Sequence, residues 1–356
     1  SMRHCRSLIA ILLAGVLSFT IMEPTLAATL TPPKNLVVES IPPIPQELVQ
    51  TVNRYTEFRG ARLSSWHPTR REILIATRFC NTSQVHQVRF PLGARRQLTF
   101  FPDAPSGATF QPTTGDYFVF SKDIGGSEFN QNYRYDLESG DITLLTDGKS
   151  KNSRGIWSTA GDRMAYTSTR RTGKDNDLYL IDPKKPASNR LLAEVQGGGW
   201  YPLDWSPDDR QLLVIEYISV NESYLWLFNT ETGERRQLTP KEKEPISYET
   251  AVFSQDGRGL YVVTDRESEF QRLAYLDFAS KSYTYLTTQI PWDVEDIDLS
   301  RDGSLLAFVT NEDGAAVLHV LDTTTRQEVT LPKLPIGQIF GINWHPNRKE
   351  LGFTLV

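Results

Sequence analysis

Polar and apolar positions along this chain follow one pattern that returns seven times. Each copy opens on an aromatic residue or Leu, passes through a polar turn and ends in an apolar run rich in β-formers. The copies begin at Trp66, Phe110, Trp157, Trp205, Phe253, Leu299 and Trp344, spaced by 44, 47, 48, 48, 46 and 45 residues. Trp205-Ser-Pro-Asp-Asp-Arg-Gln-Leu-Leu-Val214 shows the pattern most plainly. Within each period a further alternating run ends near an Asp, as in Tyr133–Asp136, Leu178–Asp182, Leu273–Asp277 and Leu318–Asp322. Glu138-Ser-Gly140 and Glu231-Thr-Gly233 then supply the Gly that a hairpin with a left-handed position requires. Closing runs such as Arg235–Thr239 follow, and a short run such as Tyr201–Asp204 precedes each anchor.

Four short strands in a period of about 45 residues is the repeat of a propeller blade. One small sheet cannot bury both faces, whereas blades stacked around an axis bury one another. The expected fold is therefore all-β, a β-propeller of seven four-stranded blades. The seventh period holds only one run after Trp344, Leu351–Val356, so the last blade is expected to be incomplete. Asn35–Ser40 offers a strand that the ring can borrow, and the unfinished period reads as part of a longer chain. Leu48, Val52 and Tyr55 are spaced for a short amphipathic helix over Pro45–Tyr55, expected to brace the ring.

The N-terminus adds a leader. Arg3 and Arg6 precede an apolar run, Leu8–Ile21, and Thr25-Leu26-Ala27 offers small residues for cleavage. That run is short for a bilayer span. Residues 1–27 are expected to be a signal peptide, 28–58 an extension with the short helix, and 59–356 the propeller. The mature protein is then exported, periplasmic or extracellular, with no stable membrane span. Outside the leader Cys80 is the sole cysteine, so no intramolecular disulfide forms; it is read as a small buried apolar residue without a role.

Composition and charge exclude three classes. With 39% hydrophobic and 23% charged residues the chain is neither disordered nor collagen-like. Lys+Arg 38 against Asp+Glu 43 gives a net charge of −5 without a basic run, which argues against a nucleic-acid partner.

Catalytic chemistry is sparse. No Gly-x-Ser-x-Gly elbow occurs; Gly125-Gly-Ser127-Glu128 lacks the second Gly, and only His319 and His345 follow it. No catalytic residue is assigned. His67 and His345 fill the repeat position held elsewhere by Ser158, Ser206, Ser254 and Ser300, which makes them polar groups of a turn. The Asp-Gly pairs at 256–257 and 302–303 lack the further acids of a calcium loop. No metal and no cofactor is expected. One loop stands apart, where Asp123, Gly125, Gly126 and Glu128 form a tight turn able to present a carboxylate. Its plain reading is a solvated hairpin loop. Its sharper reading is a substrate-binding acid that meets a cationic group, such as a peptide amino terminus. Arg170-Arg171 and Asp265-Arg266-Glu267, at matching positions of other blades, read as solvated loop charges.

At these residues the chain resembles the N-terminal propeller of the prolyl-oligopeptidase and acylaminoacyl-peptidase family of serine peptidases. The resemblance is carried by Ile41-Pro-Pro-Ile-Pro45, Lys122-Asp-Ile-Gly-Gly-Ser-Glu128, Tyr166–Tyr179, Tyr201–Asp209 and Glu216-Tyr-Ile-Ser-Val-Asn-Glu-Ser-Tyr-Leu-Trp226. It implies a propeller that caps an α/β-hydrolase domain and admits short or unfolded peptides. The partners it implies are peptide substrates, met through a hydrolase domain that these residues do not include. The Trp-Ser-Pro-Asp anchors are shared with TolB-like propellers, so a protein-binding module is the second reading. A lyase-type propeller enzyme ranks third, because no His or carboxylate cluster recurs across neighbouring blades.

Overall fold

A computed structural model describes residues 28–356; the signal-peptide expectation falls on residues 1–27, outside the described residues. The chain divides into two units, one ending at Phe58 and the other starting at Arg59. In the first, Thr29 and Pro45 form an isolated antiparallel bridge, and Gln46–Thr56 forms the expected helix. Pro45 suits the boundary because its fixed φ of −61° enters a helix without strain. Glu47 in the first turn and Arg54 in the last complement the helix dipole. Residues 35–40 form no strand, which corrects the expectation of a borrowed one.

The second unit is a β-propeller of antiparallel meanders. Blade 1 holds Ala61–Trp66, Ile73–Thr77, Gln84–Val88 and Arg95–Gln97; blade 2 holds Ser106–Phe110, Tyr117–Lys122, Gln131–Asp136 and Ile142–Leu144. Blade 3 runs from Ile156–Trp157 to Lys185–Ala193, blade 4 from Trp200–Trp205 to Arg235–Gln237, and blade 5 from Tyr248–Phe253 to Tyr283–Tyr285. Blade 6 has three strands, Val294–Leu299, Leu305–Glu312 and Ala315–Asp322, and reaches a fourth only through the Leu321–Glu328 bridge. The last sheet is the hairpin of Ile339–Trp344 and Leu351–Leu355. Seven four-stranded blades are thus corrected to six, the sixth by that bridge, followed by a two-stranded sheet.

Packing explains the strand patterns. The second strands Tyr117–Lys122 and Gly259–Thr264 are buried at every residue, because a blade on each side covers both faces. Apolar clusters fill the gaps between consecutive blades. Phe118 and Phe120 of blade 2 meet Leu74 and Val85 of blade 1, and Phe308 of blade 6 meets Val263 and Leu273 of blade 5.

The anchors do more than fill space. Each anchor Trp donates its indole N–H to the residue just before the preceding blade's anchor. Trp205 reaches Ile156 O at 3.1 Å, Trp344 reaches Asp298 O at 3.0 Å, and Trp157 reaches Thr109 Oγ1 at 3.3 Å. Trp66 of blade 1 reaches Asn343 O of the last sheet at 2.9 Å, which closes the ring. A buried indole N–H needs such a partner, which is why Trp recurs at these positions. Main-chain bonds run in the same direction: the amides of Phe110, Phe253 and Trp344 donate to Ser65 Oγ, Asp204 Oδ2 and Asp298 Oδ2 of the preceding blade at 3.1, 2.8 and 2.6 Å. A bulge two to four residues before the anchor, as at Pro202/Asp204 and Val294/Asp296, bends the strand and re-aims the side chain that accepts.

The closing seam carries further polar contacts. Leu63 N donates to Thr354 Oγ1 at 2.9 Å, Asn347 Nδ2 donates to Pro68 O at 2.6 Å, and Arg71 pairs with Glu350 at 2.9 Å.

Asp204 and Asp298 accept these bonds on the innermost strands, enclosed by protein and only partly reached by solvent. Desolvation pushes both carboxyls up to about 7, against the pull of the amides they accept. The folded chain keeps protons that the unfolded chain sheds between about pH 4 and pH 7, so stability falls as pH rises through that window. Asp298→Asn retains an oxygen for the Trp344 amide and removes one of the two titrations. Melting of wild type and variant from pH 5 to pH 8 should show a flatter decline in the variant, with a gain on the order of 2 kcal/mol at pH 8. That is about half of what the full shift would give, since the residue keeps partial access to solvent. Parallel declines would contradict this assignment.

Candidate functional site

Because every blade is an antiparallel meander that starts in the same direction, its connections sort onto two faces. The anchors and their turns share one. The links between second and third strands, and those between blades, share the other, here called the loop face. On the anchor face the repeat position after the anchor organises the turn. Ser206 Oγ donates to Asp208 at 2.7 Å and accepts the Gln211 amide at 2.9 Å. Where the residue is His, Nδ1 accepts instead: His67 from the Thr69 and Arg70 amides at 3.2 Å, His345 from Asn347 at 3.1 Å. These histidines are parts of turns, as expected.

The four predicted site residues come together in one loop-face turn between the second and third strands of blade 2. Gly125 and Gly126 have φ of +64° and +72°, and a Cβ on either would meet nothing within 4 Å; glycine is needed there for conformation rather than space. Glu128 also holds a left-handed φ of +63°, costly for a residue with a side chain. Asp123 holds it there, its Oδ2 accepting the Glu128 amide at 2.8 Å. Asp103 Oδ1 accepts the Gly125 amide at 3.1 Å and ties the turn to the preceding link. Ser127 Oγ accepts the Phe129 amide at 3.3 Å, and among the described residues no histidine bonds it. Asp123 is therefore a positioning residue. Glu128 is exposed, and among the described residues its carboxylate has no hydrogen-bond or ion-pair partner.

The other loop charges are engaged by neighbours, although Arg171 and Glu267 stay exposed, which corrects that expectation in part. Arg171 clasps the fully buried Asp177 through two bonds of 2.7 and 2.9 Å. Arg170 lies 4.1 Å over the Tyr179 ring and donates to Tyr166 Oη. Arg266 stacks 4.5 Å from Tyr283, donates to Tyr285 Oη at 3.1 Å and pairs with Glu267 at 3.0 Å. Asp265 Oδ1 accepts the Ser247 amide at 2.8 Å. Cys80, expected to be buried, is exposed.

Two features escaped the sequence reading. Asp204, Asp296 and Asp298 gather on innermost strands, and their signal was an acid directly before or near an anchor within an apolar run, as in Leu203-Asp204-Trp205. Burial also raises the Asp296 carboxyl above its usual range. A cavity of about 590 Å³ between blades 3 and 4, walled by Trp200 and Trp226, left no local signal because its lining comes from several strands and loops. Among the described residues no group of three His, Cys, Asp or Glu is placed to hold a metal ion. No described helix is long and apolar enough to cross a membrane.

Comparison with known proteins places this ring among propellers. The chain is similar to a prolyl endopeptidase structure with a TM-score of 0.67 at 14% identity, over 83% of this chain and 46% of that one. A puromycin hydrolase structure gives 0.58 at 17% identity, over 76% of this chain and 46% of that one. TolB from Acinetobacter baumannii gives 0.51 at 16% identity, over 78% of this chain and 66% of that one. In sequence, an uncharacterized peptidase, YuxL, of Bacillus subtilis (strain 168) is 27% identical over 177 residues, which are 50% of this chain and 24% of that protein. The chain thus spans less than half of the two hydrolytic enzymes and matches about a quarter of the curated relative. No family model matches it.

Asp123→Ala removes the acceptor that holds Glu128 in its left-handed conformation. Limited proteolysis should then cut between residues 123 and 130 several-fold faster, with global stability lowered by no more than about 1 kcal/mol. An unchanged cutting rate would show that the turn does not depend on Asp123.

Proposed function

We propose that this ring is the substrate-gating propeller of an exported serine peptidase that hydrolyses oligopeptides, with its α/β-hydrolase domain outside these 356 residues. The observation that carries the reading is Glu128: an exposed, unpaired carboxylate held in a costly conformation on the loop face, in a turn that Asp123 and Asp103 fix. Likeness to the prolyl endopeptidase and puromycin hydrolase propellers, and to the Bacillus subtilis peptidase, supports it. Exposed apolar residues at the same face, Phe79, Phe100, Ile124 and Phe129, suit an unfolded peptide that needs apolar contact. In this reading Gly125 and Gly126 shape the turn, Asp123 positions it, and Glu128 binds the substrate's amino terminus. Residues 1–27 direct export to the periplasm or beyond, 28–58 form an extension, and 59–356 form the gate.

A second reading is favoured by the TolB likeness, which covers two thirds of that structure. There the same loop face binds a protein partner and no peptide bond is cut.

Two measurements separate them. A fluorophosphonate probe should leave the 356-residue chain unlabelled, and stoichiometric labelling at one Ser would overturn the assignment of catalysis to another segment. In the full-length peptidase, Glu128→Gln should raise KM for peptides with a free amino terminus about tenfold and leave blocked peptides unchanged, since a tenfold loss matches one charge-assisted contact. Equal KM values would remove Glu128 from the substrate site.

A further inference from the structure

The cavity between blades 3 and 4 has a chemistry that the gating reading does not use. Its volume is about 590 Å³, within the range of small-ligand sites. One wall is an indole pair: Trp200 and Trp226 lie 5.4 Å apart with their planes at 54°. Glu216 Oε2 accepts the Trp226 indole N–H at 2.9 Å, and Gln196 O accepts that of Trp200 at 2.8 Å, so both rings are held. The floor is equally fixed. Asp175 accepts the Gly197 amide at 2.8 Å, and Asn176 Nδ2 donates to Gly198 O at 2.6 Å. A Cβ on Gly199 would come within 2.1 Å of Tyr217 O, so no side chain fits between these strands there.

The charges give the site its sign. Arg171 and Arg235 line the cavity with Asp175, Glu194 and Glu216, and Asp177 stands behind Arg171. The acids exceed the cations by two. Arg171 is engaged by Asp177, and at 3.7 Å it reaches Glu194 only loosely. Arg235 lies 5.8 and 5.7 Å from the two indole centroids and donates to the main-chain oxygen of Glu194 at 3.3 Å. Those distances sit at the outer limit of a cation–π contact. The ring faces therefore already attract one cation, loosely held, while Glu194 meets only the shared Arg171 at 3.7 Å and Glu216 pairs with no cation among the described residues.

We propose that this cavity binds a basic peptide side chain, its aliphatic stem against Trp226 and its guanidinium or ammonium head between Glu194 and Glu216. An anion is disfavoured by the excess negative charge, and a neutral group would leave the two carboxylates unpaired. Arg235 competes for the same indole faces. The inference does not depend on the peptidase reading, since a protein-binding ring would use the cavity equally.

The test is titration of the purified chain with Nα-acetyl-arginine methylamide, followed by tryptophan fluorescence and calorimetry. The neutral control is the citrulline analogue, nearly the same in shape but uncharged. We expect saturable binding of the arginine compound that weakens with added salt and is about tenfold tighter than the citrulline compound, a difference of ~1.4 kcal/mol. The double variant Glu194→Gln/Glu216→Gln should lose about the same factor, and Arg235→Gln should tighten binding by removing the competing cation. Absence of saturable binding, equal affinity for citrulline, or weaker binding by Arg235→Gln would each overturn the proposal. The wild-type and Arg235→Gln comparisons decide it even where the double variant fails to fold.

Discussion

The hydrogen bonds that six of the seven anchors send to the sheet before them are the constraint on which the rest of this ring depends. Apolar burial is proportional to area and carries no direction, so it can stack blades without setting how far each is rotated about the axis. A buried indole N–H has one acceptor within reach, and leaving it unpaired costs about 1–3 kcal/mol. Trp66, Trp157, Trp205 and Trp344 each meet that demand at the residue before the preceding anchor, and so set register between blades. Most of the innermost strands bulge close to those acceptors. Ser65, Asp204 and Asp298 also accept amide bonds from the anchor of the next sheet, at the cost of partly desolvating two carboxyls.

The same constraint closes the ring. Apolar clusters lie between each pair of consecutive blades from the first to the seventh, as with Val309 and Trp344 at the sixth step. Between the seventh sheet and blade 1 the described contacts are mainly polar: Trp66 to Asn343, Leu63 to Thr354, Arg71 to Glu350 and Asn347 to Pro68. A seam of hydrogen bonds between short strands is worth less than a packed cluster, since each bond exchanges for one with water. It is accordingly the most readily opened boundary of the ring.

The fold was legible because the repeat makes the same physical demand seven times. Anchor spacing, alternating runs and Gly-bearing hairpins each pointed to blades, and the helix at Gln46–Thr56 followed from the spacing of Leu48, Val52 and Tyr55. Blade completeness was less legible. Residues 324–338 carry little strand pattern, and blade 6 gains its fourth strand by a single bridge at Glu328. The loop charges were misread for a related reason. Whether Arg171 is solvated or clasps Asp177 depends on a bend between them that no spacing rule specifies. The Trp200–Trp226 cavity depends on residues more than 60 positions apart, from Arg171 to Arg235, and only the stacked blades bring them together. Glu128 was legible in part: two adjacent glycines announced a tight turn, but not that Asp123 would lock it.

What these features share is placement by the ring. Arg170, Arg171 and Arg266 are held against tyrosine rings and acids, and Glu128 is held out from its turn without a partner. The account rests on the ring being closed, because an open ring would neither hold these loops in place nor restrict access. Hydrogen exchange of tryptophan indole N–H groups, read by nuclear magnetic resonance on isotope-labelled protein, tests this most directly. A closed seam predicts that Trp66 exchanges as slowly as Trp205 and far more slowly than the exposed Trp292. Trp66 exchanging as fast as Trp292 while Trp205 stays protected would show that the seventh sheet does not hold blade 1.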